Sequence, residues 1–375
     1  MKNYTITNGT FVFPDRMESG LTILVRDGII EEIGRDLHLN SQLPGIDAQG
    51  GFVTPPLFDL HIHGCGNISI DSQSEPGTLK NLKTKQEEYG VRRFCPTMMA
   101  DSGCIKLLGS EIRENPELRS IIPGLYVEGP FVNSGKRGGI LPSYVQEPNT
   151  EYLEKLHNLS SGTIKIMTLA PELPGSEEII AKMQDLGIIP AFGHTLTSLK
   201  TALARKPAGK MVITHLFNAM SGFSHKEAGL AMLPFSDRDV FFEINGDSVH
   251  LNPETLRICA EYLNPDRMIL ISDAVVSAGT SRSGGSYYGR EVFSGTGGVC
   301  YHDNGTLVGS NICINKIVKT YTEASGAPMY EAVKASTLNP CRLLGIDDRY
   351  GSIEAGKQGE FAVFDSEMNL LMNVS

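Results

Sequence analysis

Eight short apolar runs in the middle of the chain, separated by stretches with helical spacing, limit the fold more than any other feature of the sequence. The runs end near His61, Cys95, Glu128, Leu169, His194, His215, Gly246 and Asp273. Helix-like stretches between them include residues 78–89, 177–186 and 253–263, and residues 329–343 form another after the last run. Strands that alternate with helices indicate βα units and a parallel sheet. Eight such units in about 290 residues suit a closed (β/α)8 barrel. A doubly wound open sheet is the rival, but it usually carries a glycine-rich phosphate loop after its first strand. Here the first run ends in His61-Ile62-His63-Gly64 instead.

The two ends of the chain have a different texture. Residues 4–9 read as a short strand ending in a turn, and residues 21–30 as a hairpin with Asp27-Gly28 at its tip. Residues 351–353 and 360–365 read as two more strands around the turn Glu354-Ala355-Gly356-Lys357. The expected fold class is therefore α/β. A (β/α)8 TIM-like barrel spans residues 53–344, and residues 1–52 plus 345–375 form a small β-sandwich from both termini. The glycine- and serine-rich residues 281–289 read as a loop, either over the site or an ordinary surface connection.

Some classes of partner are disfavoured. A formal charge of −10 argues against a nucleic-acid surface, which needs clustered Lys and Arg, although a local pocket can still be positive. The N-terminus shows no charged stretch leading into an apolar one, and no run of eighteen apolar residues occurs, so neither a signal peptide nor a transmembrane helix is expected. The seven cysteines are scattered, with no C-x-x-C pair. They fit a reduced cytoplasmic compartment, each as a small buried hydrophobe.

The chemistry lies at the ends of the runs. His61 and His63 stand at i and i+2, so on a strand both imidazoles face the same side. Alone, such a pair is a weak signal. Glu128, His194, His215 and Asp273 also end apolar runs. The C-terminal ends of barrel strands are where active sites sit. A single polar residue at a strand end is ordinary, whereas five strand ends in one register are not. One carboxylate with several imidazoles is a ligand set for a divalent transition metal such as Zn or Fe. Asp273 reads better as a proton carrier. Beside the ion it can take a proton from a water whose pKa the metal lowers toward about 7. It can then hand that proton to a departing nitrogen, as amide hydrolysis requires.

At this point the sequence resembles the amidohydrolase superfamily, and within it the N-acetylglucosamine-6-phosphate deacetylases. The resemblance is carried by Pro56-Leu57-Phe58-Asp59-Leu60-His61-Ile62-His63-Gly64, Tyr126-Val127-Glu128-Gly129-Pro130-Phe131 and Gly193-His194-Thr195. Thr214-His215-Leu216-Phe217-Asn218-Ala219-Met220-Ser221, the most specific segment, follows with Ile271-Ser272-Asp273-Ala274 and Asn304-Gly305-Thr306-Leu307-Val308-Gly309-Ser310. The resemblance implies that Glu128, His194 and His215 hold the main metal and that Asp273 is the general base and acid. His61 and His63 match the histidines of members with a second metal, so one or two ions per subunit are implied. It further implies a small amino-sugar phosphate as substrate, in a pocket lined by Asn218, Ala219, His250 and Leu307. Lys226 would reach the phosphate in a neighbouring subunit, which implies a homodimer.

Two positions depart from the family pattern. Lys226 stands where the family usually has Arg, replacing a bidentate fork by a point charge. Asp247-Ser248-Val249-His250 has Ser in a glycine position. N-acetylgalactosamine 6-phosphate, or another N-acyl amino sugar, therefore stands beside N-acetylglucosamine 6-phosphate as a candidate substrate. Two further readings rank lower. A cyclic-amide hydrolase of the superfamily would want a carbamylated lysine near the end of strand four, but Lys165 lies at the start of its run. A non-catalytic sugar-phosphate-binding barrel would have lost ligands that this chain keeps.

Overall fold

The structure is a computed structural model that describes residues 2–35, 37, 43–295 and 298–375. Its centre is an eight-stranded parallel sheet, assembled in chain order from Leu57–Ile62, Val91–Met99, Leu125–Glu128, Ile164–Leu169, Ile189–Phe192, Val212–Ile213, Phe241–Asn245 and Met268–Ile271. These are the eight apolar runs, except that the second continues past Cys95 to Met99.

The last strand returns to the first and closes the barrel. Asp273 N–H donates to the His61 carbonyl at 2.9 Å, and His63 N–H to the Ala274 carbonyl at 2.8 Å. Below this seam the buried Asp59 carboxylate accepts from Ser272 N–H at 3.1 Å and from Ser272 Oγ at 2.5 Å. Leu60, Cys95, Tyr126, Ile166, Ala191, Val212 and Ile269, from seven of the strands, pack into one apolar cluster with Leu343 and Leu344. Above it Thr214 Oγ1 bonds both Tyr126 Oη at 2.9 Å and Thr168 Oγ1 at 3.1 Å. The barrel is therefore a packed core with a polar upper end, which suits a site at the mouth.

The flanking helices begin where the sequence places capping side chains. Asp101, Asn149, Ser198 and Asn252 each accept from a backbone N–H in the first turn of the helix that follows. The stretch expected as one helix over residues 329–343 is two, Met329–Ala335 and Leu338–Leu344. Pro340 has no N–H to offer the Ser336 carbonyl, and that carbonyl instead accepts from Phe58 N–H at 2.8 Å.

Both termini build the sandwich. One sheet runs Ile29–Gly34, Thr22–Arg26, Tyr4–Thr7, Gly45–Asp47; the other runs Leu370–Val374, Phe361–Phe364, Phe52–Thr54, Thr10–Val12, Met17–Ser19. Tyr4, Ile6, Ile23, Val53, Phe361 and Val363 fill the space between them. The expected strand at 351–353 does not form. Gly351 turns at φ +93° against the Thr337 carbonyl, and Ile353 enters the sandwich core as an irregular segment.

The stretch at 281–289 is also not a plain loop. Gly284–Tyr287 is the edge strand of an antiparallel sheet with Arg290–Gly295, Gly298–Tyr301 and Leu307–Gly309. This sheet is inserted after the eighth barrel strand and leans over the mouth. Its last strand is fastened to the site, because Ser310 N–H donates to the Asp273 carbonyl at 2.8 Å. Gly309 makes that approach possible: a Cβ there would lie 2.5 Å from the same oxygen. Among the described residues, no helix is long and apolar enough to cross a membrane.

Candidate metal centre

Three of the expected site residues sit two positions past the end of a barrel strand, in a backbone conformation that few side chains adopt. His194, His215 and Asp273 have φ of +48°, +27° and +49°. Asp and His tolerate this left-handed region better than most residues. Each instance still costs about 1–3 kcal/mol and persists only where the surroundings enforce it. The bend ends the extended run and leaves each side chain at the mouth.

The six candidate ligands form two groups, all buried. In the first, Glu128 Oε1 lies 2.7 Å from His194 Nε2 and 3.0 Å from His215 Nε2. Those two nitrogens are themselves 3.0 Å apart. In the second, His61 Nε2 and His63 Nε2 are 3.2 Å apart, with Asp273 Oδ1 at 3.6 Å and 3.3 Å from them. Glu128 Oε2 is 3.7 Å from His63 Nε2, so a single carboxylate faces both groups.

The outer ring nitrogens show which inner ones are free. His194 Nδ1 lies 2.9 Å from the Lys136 carbonyl, His61 Nδ1 3.1 Å from Glu243 Oε2, and His63 Nδ1 2.9 Å from Tyr287 Oη. An N–H donated outward leaves the Nε2 lone pair pointing inward, as a metal ligand requires. Glu243 Oε2 also accepts from His215 N–H at 3.0 Å, so it supports one residue of each group. Replacing it (Glu243→Gln) should weaken metal affinity about 10–100-fold while the fold survives. Competition with a chelator measures this, and unchanged affinity would remove Glu243 from the support of the site.

The electrostatics favour a cation. Burial pushes the Glu128 carboxyl up, but His194, His215 and His61 outweigh it and hold the group well below the usual carboxylate range. Asp273 is likewise raised by burial and pulled down further by His63, His61 and His250. Burial lowers His61, but Glu243, Asp273 and Glu128 raise it more, so its surroundings favour positive charge. The buried carboxylates thus make the site favourable to positive charge. A divalent cation satisfies the same field and several close nitrogen lone pairs at once. The residues present fit a metal.

The remaining expected residues fall as follows. His250 Nδ1 is 2.7 Å from Asp247 Oδ2, and its Nε2 is 3.7 Å from Asp273 Oδ2. Asn245 Nδ2 donates to Asp273 Oδ2 at 3.3 Å. Ser248 has φ +61°, a conformation glycine takes freely, which accounts for the glycine usual there. Asn218, Ala219, His250 and Leu307 line a cavity of about 370 Å³ together with Glu128, His194, His215, His63 and Asp273. Lys226 stands outside that lining on an exposed loop, its N–H on Ser224 Oγ. Lys165 lies at the start of Ile164–Leu169, the strand end away from both groups.

Sequence reasoning missed Glu243, Asn245, Lys136 and Tyr287. Glu243 did leave a signal, a lone charge inside the apolar run Val240-Phe241-Phe242-Glu243-Ile244. Lys136, the only Lys or Arg lining the cavity among the described residues, and Tyr287 left none.

The profile of the amidohydrolase family matches residues 52–374. The chain belongs to the amidohydrolase family. It is 30% identical to the N-acetylglucosamine-6-phosphate deacetylase of Haemophilus influenzae, over 94% of this chain and 92% of that one. It is 26% identical to the N-acetylgalactosamine-6-phosphate deacetylase of Escherichia coli O157:H7, over 84% of each. The crystal structure of the N-acetylglucosamine-6-phosphate deacetylase from Pasteurella multocida superposes with a TM-score of 0.90 at 24% identity, covering 99% of this chain and 98% of that one. That likeness shares the barrel and the terminal sandwich. Amidohydrolases of this superfamily depend on metal, and this member carries two groups able to bind it.

Proposed function

We propose that this amidohydrolase hydrolyses the acetamide of N-acetylglucosamine 6-phosphate, giving glucosamine 6-phosphate and acetate in amino-sugar catabolism. The observation that carries the reading is the pair of ligand groups joined by Glu128, with Asp273 beside them at the floor of a sugar-sized cavity. The relative from Haemophilus influenzae supports the substrate.

Glu128, His194 and His215 hold the main ion, and His61 and His63 a second, with Zn or Fe suiting the donors. Such an ion supplies a Lewis acid for the amide carbonyl oxygen and lowers the pKa of the attacking water. Asp273 does the proton work. Its Oδ2 is held by Asn245 and its Oδ1 faces the two histidines. It takes a proton from the attacking water as the C–O bond forms. It returns that proton to the nitrogen as the C–N bond breaks, so the amine leaves neutral. His250, fixed by Asp247, stands beside it to orient the sugar, with the Asn218-Ala219 backbone and Leu307 on the other cavity walls.

The same reading makes the protein a homodimer in which Lys226 reaches the neighbour's phosphate. Supporting this, Lys226 shares its exposed loop with Phe223, which is 56% exposed and stacks on Phe217 at 6.1 Å. The reading also takes residues 1–52 plus 345–375 as the sandwich domain and 53–344 as the catalytic barrel. A cytoplasmic setting is supported by all seven cysteines being free.

The test is acetate release from four compounds in parallel: the 6-phosphates of N-acetylglucosamine and N-acetylgalactosamine, and both free sugars. The glucosamine phosphate ester should exceed its free sugar by at least about tenfold, the worth of one charge-assisted phosphate contact. Preference for the galacto ester would shift the substrate to that of the Escherichia coli relative. Equal turnover of the free sugars would overturn the phosphate reading.

A further inference from the structure

Tyr287 joins the inserted sheet to the metal centre. The residue is 2% exposed, and its ring packs edge-on against His63 with centroids 5.7 Å apart. Its Oη lies 2.9 Å from His63 Nδ1. Two nearby tyrosines, one in the turn that follows this strand and one in the sheet, bond backbone instead. Tyr288 Oη accepts from Met99 N–H at 2.9 Å, and Tyr301 Oη donates to the Gly139 carbonyl at 3.0 Å. Tyr287 alone of the three is aimed at a side chain able to hold a metal.

The chemistry of imidazole ligation sets the direction of that bond. A ligating histidine uses a nitrogen without a proton, so its proton sits on the other nitrogen. His63 Nε2 faces Asp273 Oδ1 and Glu128 Oε2, at 3.3 Å and 3.7 Å. Nδ1 must then carry the hydrogen and donate it to Tyr287 Oη. His61 and His194 make the equivalent donation to Glu243 and to the Lys136 carbonyl, both outside the inserted sheet. His63 depends on that sheet for it.

We propose that Tyr287 is a positioning residue for the second metal group: it locks the tautomer and ring plane of His63, so that the group is complete only when the inserted sheet is seated on the mouth. This rests on the reading that His61 and His63 take a second ion. A phenol oxygen is a weaker acceptor than a carboxylate. Within its group His63 is therefore held less firmly than His61, whose Nδ1 meets the Glu243 carboxylate.

The test uses full-length enzyme loaded with Zn²⁺ and challenged with rising concentrations of a chelator, with bound ions counted by native mass spectrometry. Wild type should lose zinc in two steps. Tyr287→Phe, which removes only the hydroxyl, should lose the ion of the His61–His63 group at about 10–100-fold lower chelator, while loss of the ion at Glu128, His194 and His215 stays in place. Tyr288→Phe, with its partner on backbone, should leave both steps unchanged, and comparable melting temperatures would show that packing survives in both variants. Two wild-type steps in Tyr287→Phe would overturn the proposal alone. So would equal displacement of both steps in the two variants, since that reports general loosening of the sheet. A wild type that holds a single ion would overturn the proposal together with the two-ion reading.

Discussion

Asp273→Asn should lower kcat for acetate release by about 10⁴-fold, the upper end of what one general acid–base group contributes, because the proposed mechanism has one group serve both steps. The substitution keeps the size of the side chain and its bond from Asn245 Nδ2. It removes the ability to accept a proton from water and return it to nitrogen. Glu128, His194 and His215 are untouched, so the ion proposed for them should remain, as counted by elemental analysis. The variant should also keep its affinity for the phosphorylated substrate, since the loss lies in the chemical step. Activity within about tenfold of wild type would remove Asp273 from the proton path. Loss of every ion would make it a ligand first and a proton carrier second.

Glu128→Gln should empty the centre. The carboxylate offers Oε1 to His194 and His215 and turns Oε2 toward His63, so its charge is shared by both groups. A supporting residue around a metal is worth about 10–100-fold in affinity, and a direct, charged ligand shared by two groups is worth more. The expected result is zinc well below one ion per subunit after dialysis, with activity that excess zinc restores only in part. A second readout is thermal. Ligand binding stabilises the folded state by about 4 kcal/mol when the free ion is at a thousand times its dissociation constant. Added zinc should thus raise the melting temperature of wild type and leave that of Glu128→Gln nearly still. A variant that retains two ions and responds to zinc like wild type would refute the bridging position.

Much of this centre is written locally. Each of Glu128, His194, His215 and Asp273 stands at or just past the end of its own apolar run, and a run with its terminal polar residue is a feature of fewer than ten consecutive positions. His61 and His63 are legible for the same reason, since a strand brings i and i+2 to one side. The hairpin at Asp27-Gly28 follows from turn chemistry, and both residues take the left-handed backbone it needs, at φ +50° and +78°. The stretch at 329–343 shows where local reading fails. Its apolar pattern is helical throughout, but Pro340 frees the Ser336 carbonyl, and a barrel strand 278 positions earlier supplies the N–H that makes the break acceptable.

The sequence by itself determined the eight-unit barrel and the strand ends at which the candidate ligands stand, because strand period and strand termini are properties of short segments. Only the tertiary structure decided what holds those candidate ligands. Glu243 meets His61 across 182 residues, and Tyr287 meets His63 across 224. Tyr287 sits in a glycine- and serine-rich stretch whose composition reads as loop, and it becomes a strand only because Arg290–Gly295 pairs with it. Hydrogen bonds between distant segments depend on how the closed barrel and its inserted sheet bring them together, and no local pattern records that distance.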